Sequence, residues 1–80
     1  MALNLKIVSP ERIEYTGEVE SVTVPGTSGS FEILNNHAPI ISSLENGIVS
    51  YSIDGEVHKL QISGGFVEVQ KNEVSICAEL

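Results

Sequence analysis

Apolar and polar residues alternate along most of the chain, which is the period expected of half-buried β-strands. Near the N-terminus, Leu3, Leu5 and Ile7 alternate with Asn4 and Lys6. No stretch of helical length places apolar residues at the three- and four-residue spacings of an amphipathic helix. The pattern therefore predicts short strands separated by turns.

Two-residue turn sequences predict tight hairpins in the second half of the chain. Asn46-Gly47 and Asp54-Gly55 both lie between alternating segments, and such pairs favour type I′ turns with φ > 0 at both central residues. Lys71-Asn72 is predicted to join the last two strands, since asparagine tolerates the left-handed conformation.

The early strands are less regular. A short second strand at residues 13–15 is predicted to end at Thr16-Gly17, and a longer strand follows over residues 18–24. Its apolar side changes between Val19 and Val22, which predicts a β-bulge at the two residues between them.

Residues 25–40 interrupt the alternation and are predicted to form a long connection between two sheets. Gly26 and Gly29 can adopt φ > 0 without steric cost, and Pro39 restricts both itself and the residue before it. His37 is the most chemically versatile side chain in this segment. Without further information, a hydrogen bond from His37 to the loop backbone is the favoured interpretation.

Short strands at spacings of about 8–12 residues are typical of all-β sandwiches and barrels. The strand spacing alone does not choose between a sandwich and a barrel. The length predicts a single domain over residues 1–80.

The composition supports a folded domain and excludes several functions. The chain is 41% hydrophobic and 19% charged, with a net charge of −7. Its four basic residues are scattered singly, so nucleic acid and anionic membrane surfaces are not expected partners. The longest apolar run is far too short to span a bilayer, and the N-terminus has no signal-peptide pattern.

Residues with catalytic or metal-binding chemistry are sparse. His37 and His58 are not arranged at a metal-ligand spacing, and Cys77 is the single cysteine. No phosphate-binding loop or nucleophile elbow is present. We therefore predict no catalytic, cofactor-binding or metal-binding residues.

Two short sequence boxes carry a resemblance to a known family. Residues 36–39 are Asn-His-Ala-Pro, and residues 64–69 are Gly-Gly-Phe-Val-Glu-Val. Together with residues 7–11 and 15–19, they make most of the chain resemble the N-terminal β-sandwich domain of the epsilon subunit of rotary ATP synthases. The chain departs from the usual family pattern at Glu32 and Asn35, where a glycine and a proline are common.

The resemblance implies a flattened antiparallel two-sheet β-sandwich of about ten short strands, without a C-terminal helical hairpin. It also implies a non-catalytic subunit of the central stalk of an F-type ATP synthase. Such a subunit binds gamma and the c-subunit ring, and helps couple proton-driven rotation to ATP synthesis. It would lie peripherally at the cytoplasmic face of the bacterial inner membrane, without inserting into the bilayer.

The resemblance also suggests which residues meet these partners. The residues expected to contact the c-ring are Ser30, Phe31, Glu32, Asn36, His37 and Ala38. Tyr51 and Phe66 are the candidates for the gamma contact, because aromatic residues are enriched among interface anchors. For each of them taken singly, a position in the core is the favoured interpretation.

Two alternatives come from other functional classes. A free-standing β-sandwich could bind a peptide along an edge strand formed by residues 3–8, or a ligand in a concave apolar pocket. A stalk subunit should instead present a flat apolar patch. A hydrolase using His37 is disfavoured, because no nucleophile lies beside it in the sequence.

Overall fold

The computed structural model describes residues 2–80, which form nine β-strands and no helix. The strands are β1 (Leu3–Val8), β2 (Ile13–Val19), β3 (Ser21–Gly26), β4 (Gly29–Ile33), β5 (Ile40–Leu44), β6 (Gly47–Ile53), β7 (Glu56–Ile62), β8 (Gly64–Gln70) and β9 (Glu73–Glu79). The predicted all-β sandwich is confirmed, with nine strands in place of about ten.

The strands form two layers of one curled sheet. The first layer has the order β2-β1-β9-β8-β5, and the second contains β3, β6 and β7, with β4 on the free side of β3. Only Gly26 and Leu44 pair where β3 meets β5. The sheet bends at this narrow junction, so the apolar sides of the two layers can pack together.

One pair of neighbouring strands is parallel. β1 and β9 run side by side from the Asn4–Glu73 pair to the Val8–Cys77 pair, whereas the other pairings are antiparallel. This pairing places the first and last strands of the chain side by side within the first layer. It also gives β1 a neighbour on each side, so the predicted peptide-binding edge at residues 3–8 is wrong.

The core lies between the layers and follows the predicted alternation. Leu3, Leu5 and Ile7 are all fully buried. The other buried apolar residues are Val19, Val22, Val24, Ile33, Leu44, Val49, Ile62, Val67, Val69, Val74, Ile76 and Ala78. These side chains come from both layers, which therefore stabilise each other by removing apolar surface from water.

The prediction of one long connection over residues 25–40 is wrong in its first half. Gly29–Ile33 forms β4, which pairs with β3 through a turn at Thr27-Ser28. Phe31 and Ile33 point toward the core, and burial of these side chains favours a strand. The irregular connection is limited to residues 34–39.

The predicted end of the second strand at Thr16-Gly17 is also wrong, because β2 continues through both residues in register with β1. The change of apolar side between Val19 and Val22 is present, but the predicted continuous strand over residues 18–24 with a β-bulge is wrong. The change arises from a break at Glu20, where the chain passes from the first layer to the second.

The turn predictions have mixed outcomes. Asp54 and Gly55 have φ values of 50° and 80° and join β6 to β7, so this type I′ hairpin is confirmed. Lys71 and Asn72 likewise have φ values of 51° and 62° between β8 and β9. The hairpin predicted at Asn46-Gly47 is wrong, because β5 and β6 lie in different layers and do not pair.

Candidate functional site

The six residues predicted to contact the c-ring fall into two groups. Ser30, Phe31 and Glu32 lie on β4, which starts at the Thr27-Ser28 turn. The segment from Asn36 to Ala38 lies beyond the other end of β4, in the 34–39 connection. The structure therefore separates residues that the sequence placed in one loop.

The β4 group presents polar side chains on an edge strand. Ser30 pairs with Pro25 and Glu32 with Thr23, and both Ser30 and Glu32 are exposed. Phe31 alternates with them and packs partly against the core. The edge can thus offer a hydroxyl and a carboxylate while Phe31 holds the strand in place.

The 34–39 connection is shaped by a tight turn. The His37 amide donates a hydrogen bond of 3.2 Å to the Leu34 carbonyl, and Asn36 has a φ of 66°. A left-handed residue at the third position of such a turn is typical of type II. This turn sets the direction in which His37 and Ala38 leave it.

The His37 ring hydrogen-bonds its own loop. Its Nδ1 lies 2.7 Å from the carbonyl oxygen of Ala38, so Nδ1 carries the proton and donates it. A carbonyl oxygen can only accept, and this fixes Nδ1 as the donor in the bond. The backbone bond favoured by the sequence is present, and one ring nitrogen keeps its capacity for a partner.

Sequence reasoning did not identify Asn72 as part of this site. Asn72 is 7% exposed and is the buried polar residue among those described. Its side-chain Oδ1 accepts a 2.7 Å hydrogen bond from the Asn36 amide, and its carbonyl oxygen accepts one of 2.8 Å from the Asn4 amide. The available signal was an asparagine at a turn position where type I′ hairpins favour glycine.

The two candidate gamma contacts lie in different layers. Tyr51 is on β6 in the second layer, with its ring centroid 4.8 Å from that of Tyr15 and 5.4 Å from that of His58. Burial, and to a smaller extent Tyr15, raises the pKa of Tyr51. Tyr51 thus belongs to an aromatic group at the side of the sandwich where β2 approaches β6.

Phe66 lies on the outer side of the first layer and is 46% exposed. It pairs with Cys77 on β9, and Cys77 is in register with Val8 on β1. Ile41 on the neighbouring β5 is 73% exposed and is paired with Glu68, two residues from Phe66. We call Val8, Ile41, Phe66 and Cys77 the apolar face.

An open groove of about 290 Å³ lies at one end of the apolar face. Val8, Pro10, Phe66 and Cys77 contribute to its walls.

An ion pair lies near this groove. Arg12, in the turn between β1 and β2, donates a 2.8 Å hydrogen bond from its Nε to Glu14 Oε2. This bond is the main reason that the pKa of Glu14 is lowered.

Residues 2–80 contain no group of three or more histidine, cysteine, aspartate or glutamate side chains placed to hold a metal ion. The same residues include no helix with the length and apolar character needed to cross a membrane. The features that the site offers are an exposed apolar surface, a polar edge strand and a shaped connection.

The chain is similar to named proteins over almost its whole length. It is 49% identical over 75 residues to the ATP synthase epsilon chain of Desulfitobacterium hafniense, covering 94% of this chain and 57% of that one. It is 43% identical over 77 residues to the ATP synthase epsilon chain of Leptospira borgpetersenii, covering 96% of this chain and 61% of the relative. The chain thus spans less than two thirds of the length of these relatives.

Solved structures show the same fold. A chain in the mitochondrial ATP synthase of Euglena gracilis, described as OSCP/F1/c-ring, superposes with a TM-score of 0.91 at 22% identity, over 96% of this chain and 50% of that one. A chain in the central stalk/c-ring of the Tetrahymena thermophila enzyme gives 0.83 at 16% identity, over 100% of this chain and 65% of that one.

A family model described as "ATP synthase, Delta/Epsilon chain, beta-sandwich domain" matches residues 2–80. The match includes the strands, the connection and the turn that position the candidate contact residues. The chain therefore belongs to the family of ATP synthase delta/epsilon-chain β-sandwich domains.

Proposed function

We propose that this protein is a non-catalytic subunit of the central stalk of an F-type ATP synthase, and that it couples c-ring rotation to ATP synthesis by binding gamma and the c-ring. The observation that carries the proposal is the family match over residues 2–80. As part of the same proposal, the protein lies peripherally at the cytoplasmic face of the bacterial inner membrane, in keeping with relatives that are ATP synthase epsilon chains.

The apolar face is the proposed contact with gamma. Phe66 and Ile41 expose apolar surface on adjacent strands of the first layer, and exposed apolar patches on small domains mark interaction sites. A contact at Tyr51 would use a separate surface of the second layer, so we propose Phe66 as the principal anchor.

The end of the sandwich at the Thr27-Ser28 turn is the proposed contact with the c-ring. Ser30, close to this turn, and Glu32, further along β4, are exposed and have no part in the core. A contact made by such side chains would be small and rich in water-mediated hydrogen bonds.

The segment from Asn36 to Ala38 lies beyond the opposite end of β4, so one ring surface at the Thr27-Ser28 end would not reach it. The segment continues through Pro39 directly into β5, which carries Ile41. We therefore assign it, as part of this proposal, to gamma beside the apolar face.

Co-purification from native membranes tests the proposed function. Phe66→Asp should abolish recovery of the chain with gamma and the c-ring, because an unpaired carboxylate would be buried in the contact. Val57→Asp is the matched control, since Val57 is 60% exposed on the second layer. Equal recovery of both variants, or equal loss, would contradict the assignment of the apolar face.

A further inference from the structure

The Asn72 side chain connects two parts of the fold that are 36 positions apart in the sequence. Its Oδ1 receives the amide hydrogen of Asn36, which is the residue at the left-handed position of the 34–37 turn. Asn72 itself is left-handed, at the second central position of the β8–β9 turn. The β8–β9 turn is thus hydrogen-bonded, through the Asn72 side chain, to the turn that orients His37.

The choice of asparagine at this position is informative. Glycine is the residue that a type I′ turn favours where φ is positive, so turn geometry alone does not call for a side chain here. The side chain is buried, and its oxygen satisfies an amide in an irregular segment that has no strand neighbour. This partly buried hydrogen bond restricts the segment, because the Asn36 amide must give up its protein partner before the segment can change shape.

We propose that Asn72 is a positioning residue that holds the segment from Asn36 to Ala38 in the shape that gamma contacts. The inference rests on the proposed function for its partner, and on the Asn36–Asn72 hydrogen bond for its mechanism. Asn72 itself need not touch gamma, since its role is exerted through the Asn36 amide.

Two substitutions separate the side chain from the turn. Asn72→Gly suits a positive φ and keeps the carbonyl that accepts from the Asn4 amide, but it removes Oδ1. Asn72→Asp keeps an oxygen acceptor in the same place. The Asn4 amide is therefore an internal reference that both variants should leave protected.

The experiment makes two measurements on the 80-residue chain. The first is amide hydrogen exchange, and the second is the affinity of the chain for a purified complex of gamma with the alpha and beta subunits of the ATP synthase. In Asn72→Gly, exchange at Asn36 should rise about tenfold while exchange at Asn4 is unchanged, and affinity for gamma should fall about fivefold. Asn72→Asp should restore both the protection of Asn36 and the affinity.

An Asn36 amide that stays protected in Asn72→Gly would overturn the inference, whatever the affinity. Faster exchange at Asn36 with an unchanged affinity for gamma would also overturn the inference, because it would show that binding of gamma does not depend on the shape of this segment. Failure of the unaltered chain to bind gamma would overturn the proposed function itself and this inference with it, and that result is visible before any substitution is made.

Discussion

The rings of Tyr15 and Tyr51 lie 4.8 Å apart, centroid to centroid, and are tilted by 36°. Tyr15 belongs to β2 in the first layer and Tyr51 to β6 in the second, so the pair joins the layers at the side opposite the β3–β5 junction. Tilted aromatic pairs at this distance contribute beyond the area that they bury. The pair therefore adds an aromatic side-chain contact between the layers.

Truncation of this contact should destabilise the domain. Tyr51→Ala is expected to lower the free energy of unfolding by about 2 kcal/mol, less than for a fully buried ring because Tyr51 is only partly covered. Tyr51→Phe is the matched control and should retain most of the stability near neutral pH. Urea denaturation measures both, and equal stability of the alanine variant and the unaltered chain would contradict the packing role.

The raised pKa of Tyr51 predicts a loss of stability in alkali. The folded chain holds the tyrosine neutral above its ordinary pKa of 10.0, whereas the unfolded chain ionises there. The contribution is complete below that pH and is lost as pH rises through the folded pKa. Between about pH 8 and about pH 11, the melting temperature should fall less for Tyr51→Phe than for the unaltered chain. An identical fall would mean that Tyr51 does not cause it.

Gly65 should be intolerant of any side chain. A Cβ there would overlap the carbonyl oxygen of Cys77 on β9, and its φ is 143°. Gly65→Ala is expected to cost more than about 3 kcal/mol, because two paired strands would have to separate. Gly64→Ala is the adjacent control: its Cβ would lie 3.7 Å from the nearest oxygen, and the change should stay within about 1 kcal/mol. Thermal unfolding distinguishes them, and similar melting temperatures would contradict the prediction.

Substitutions at Gly55 test the β6–β7 hairpin through backbone strain rather than through steric overlap. Apart from Gly55 itself and its two chain neighbours, no residue has an atom within 4 Å of the position that a Cβ would take, but the φ of Gly55 is 80°. Gly55→Val should therefore cost about 1–2 kcal/mol through backbone strain alone. Gly55→Asn should cost clearly less, because asparagine tolerates this conformation. Chemical denaturation that ranks the two variants equally would argue against strain as the cause.

Crosslinking tests the proposed orientation on the c-ring. In a Cys77→Ser background, Ser30→Cys should form a disulfide with a cysteine in the polar loop of the c subunit in the intact enzyme. Asp54→Cys, in the turn beyond the opposite ends of β6 and β7, is the control and should not crosslink. Crosslinking from position 54 but not from position 30 would show that the opposite end of the sandwich meets the ring.

Part of the candidate site could be predicted from the sequence. Ser30 and Glu32 have no apolar role, so their exposure follows from composition. Their separation from His37 did not, because it depends on Phe31 and Ile33 packing into the core and making residues 29–33 a strand. Asn72 was recognised as a turn residue, but the partner of its side chain is 36 positions away, and no local pattern identifies it.

The sequence by itself determined the all-β class, the buried side of strands such as β1, and the turns at Asp54-Gly55 and Lys71-Asn72. The alternation of Leu3, Leu5 and Ile7 specifies which side of a strand is apolar, and Asp54-Gly55 specifies a hairpin through its own backbone stereochemistry. Asn46-Gly47 has the same turn chemistry, yet the chain there crosses between layers, because β5 pairs with β8 and β6 with β7. Tertiary structure also decided the parallel pairing of β1 with β9. Strand neighbours are chosen by how two apolar surfaces close over a shared core, and that choice depends on residues distant in the chain rather than on the local pattern.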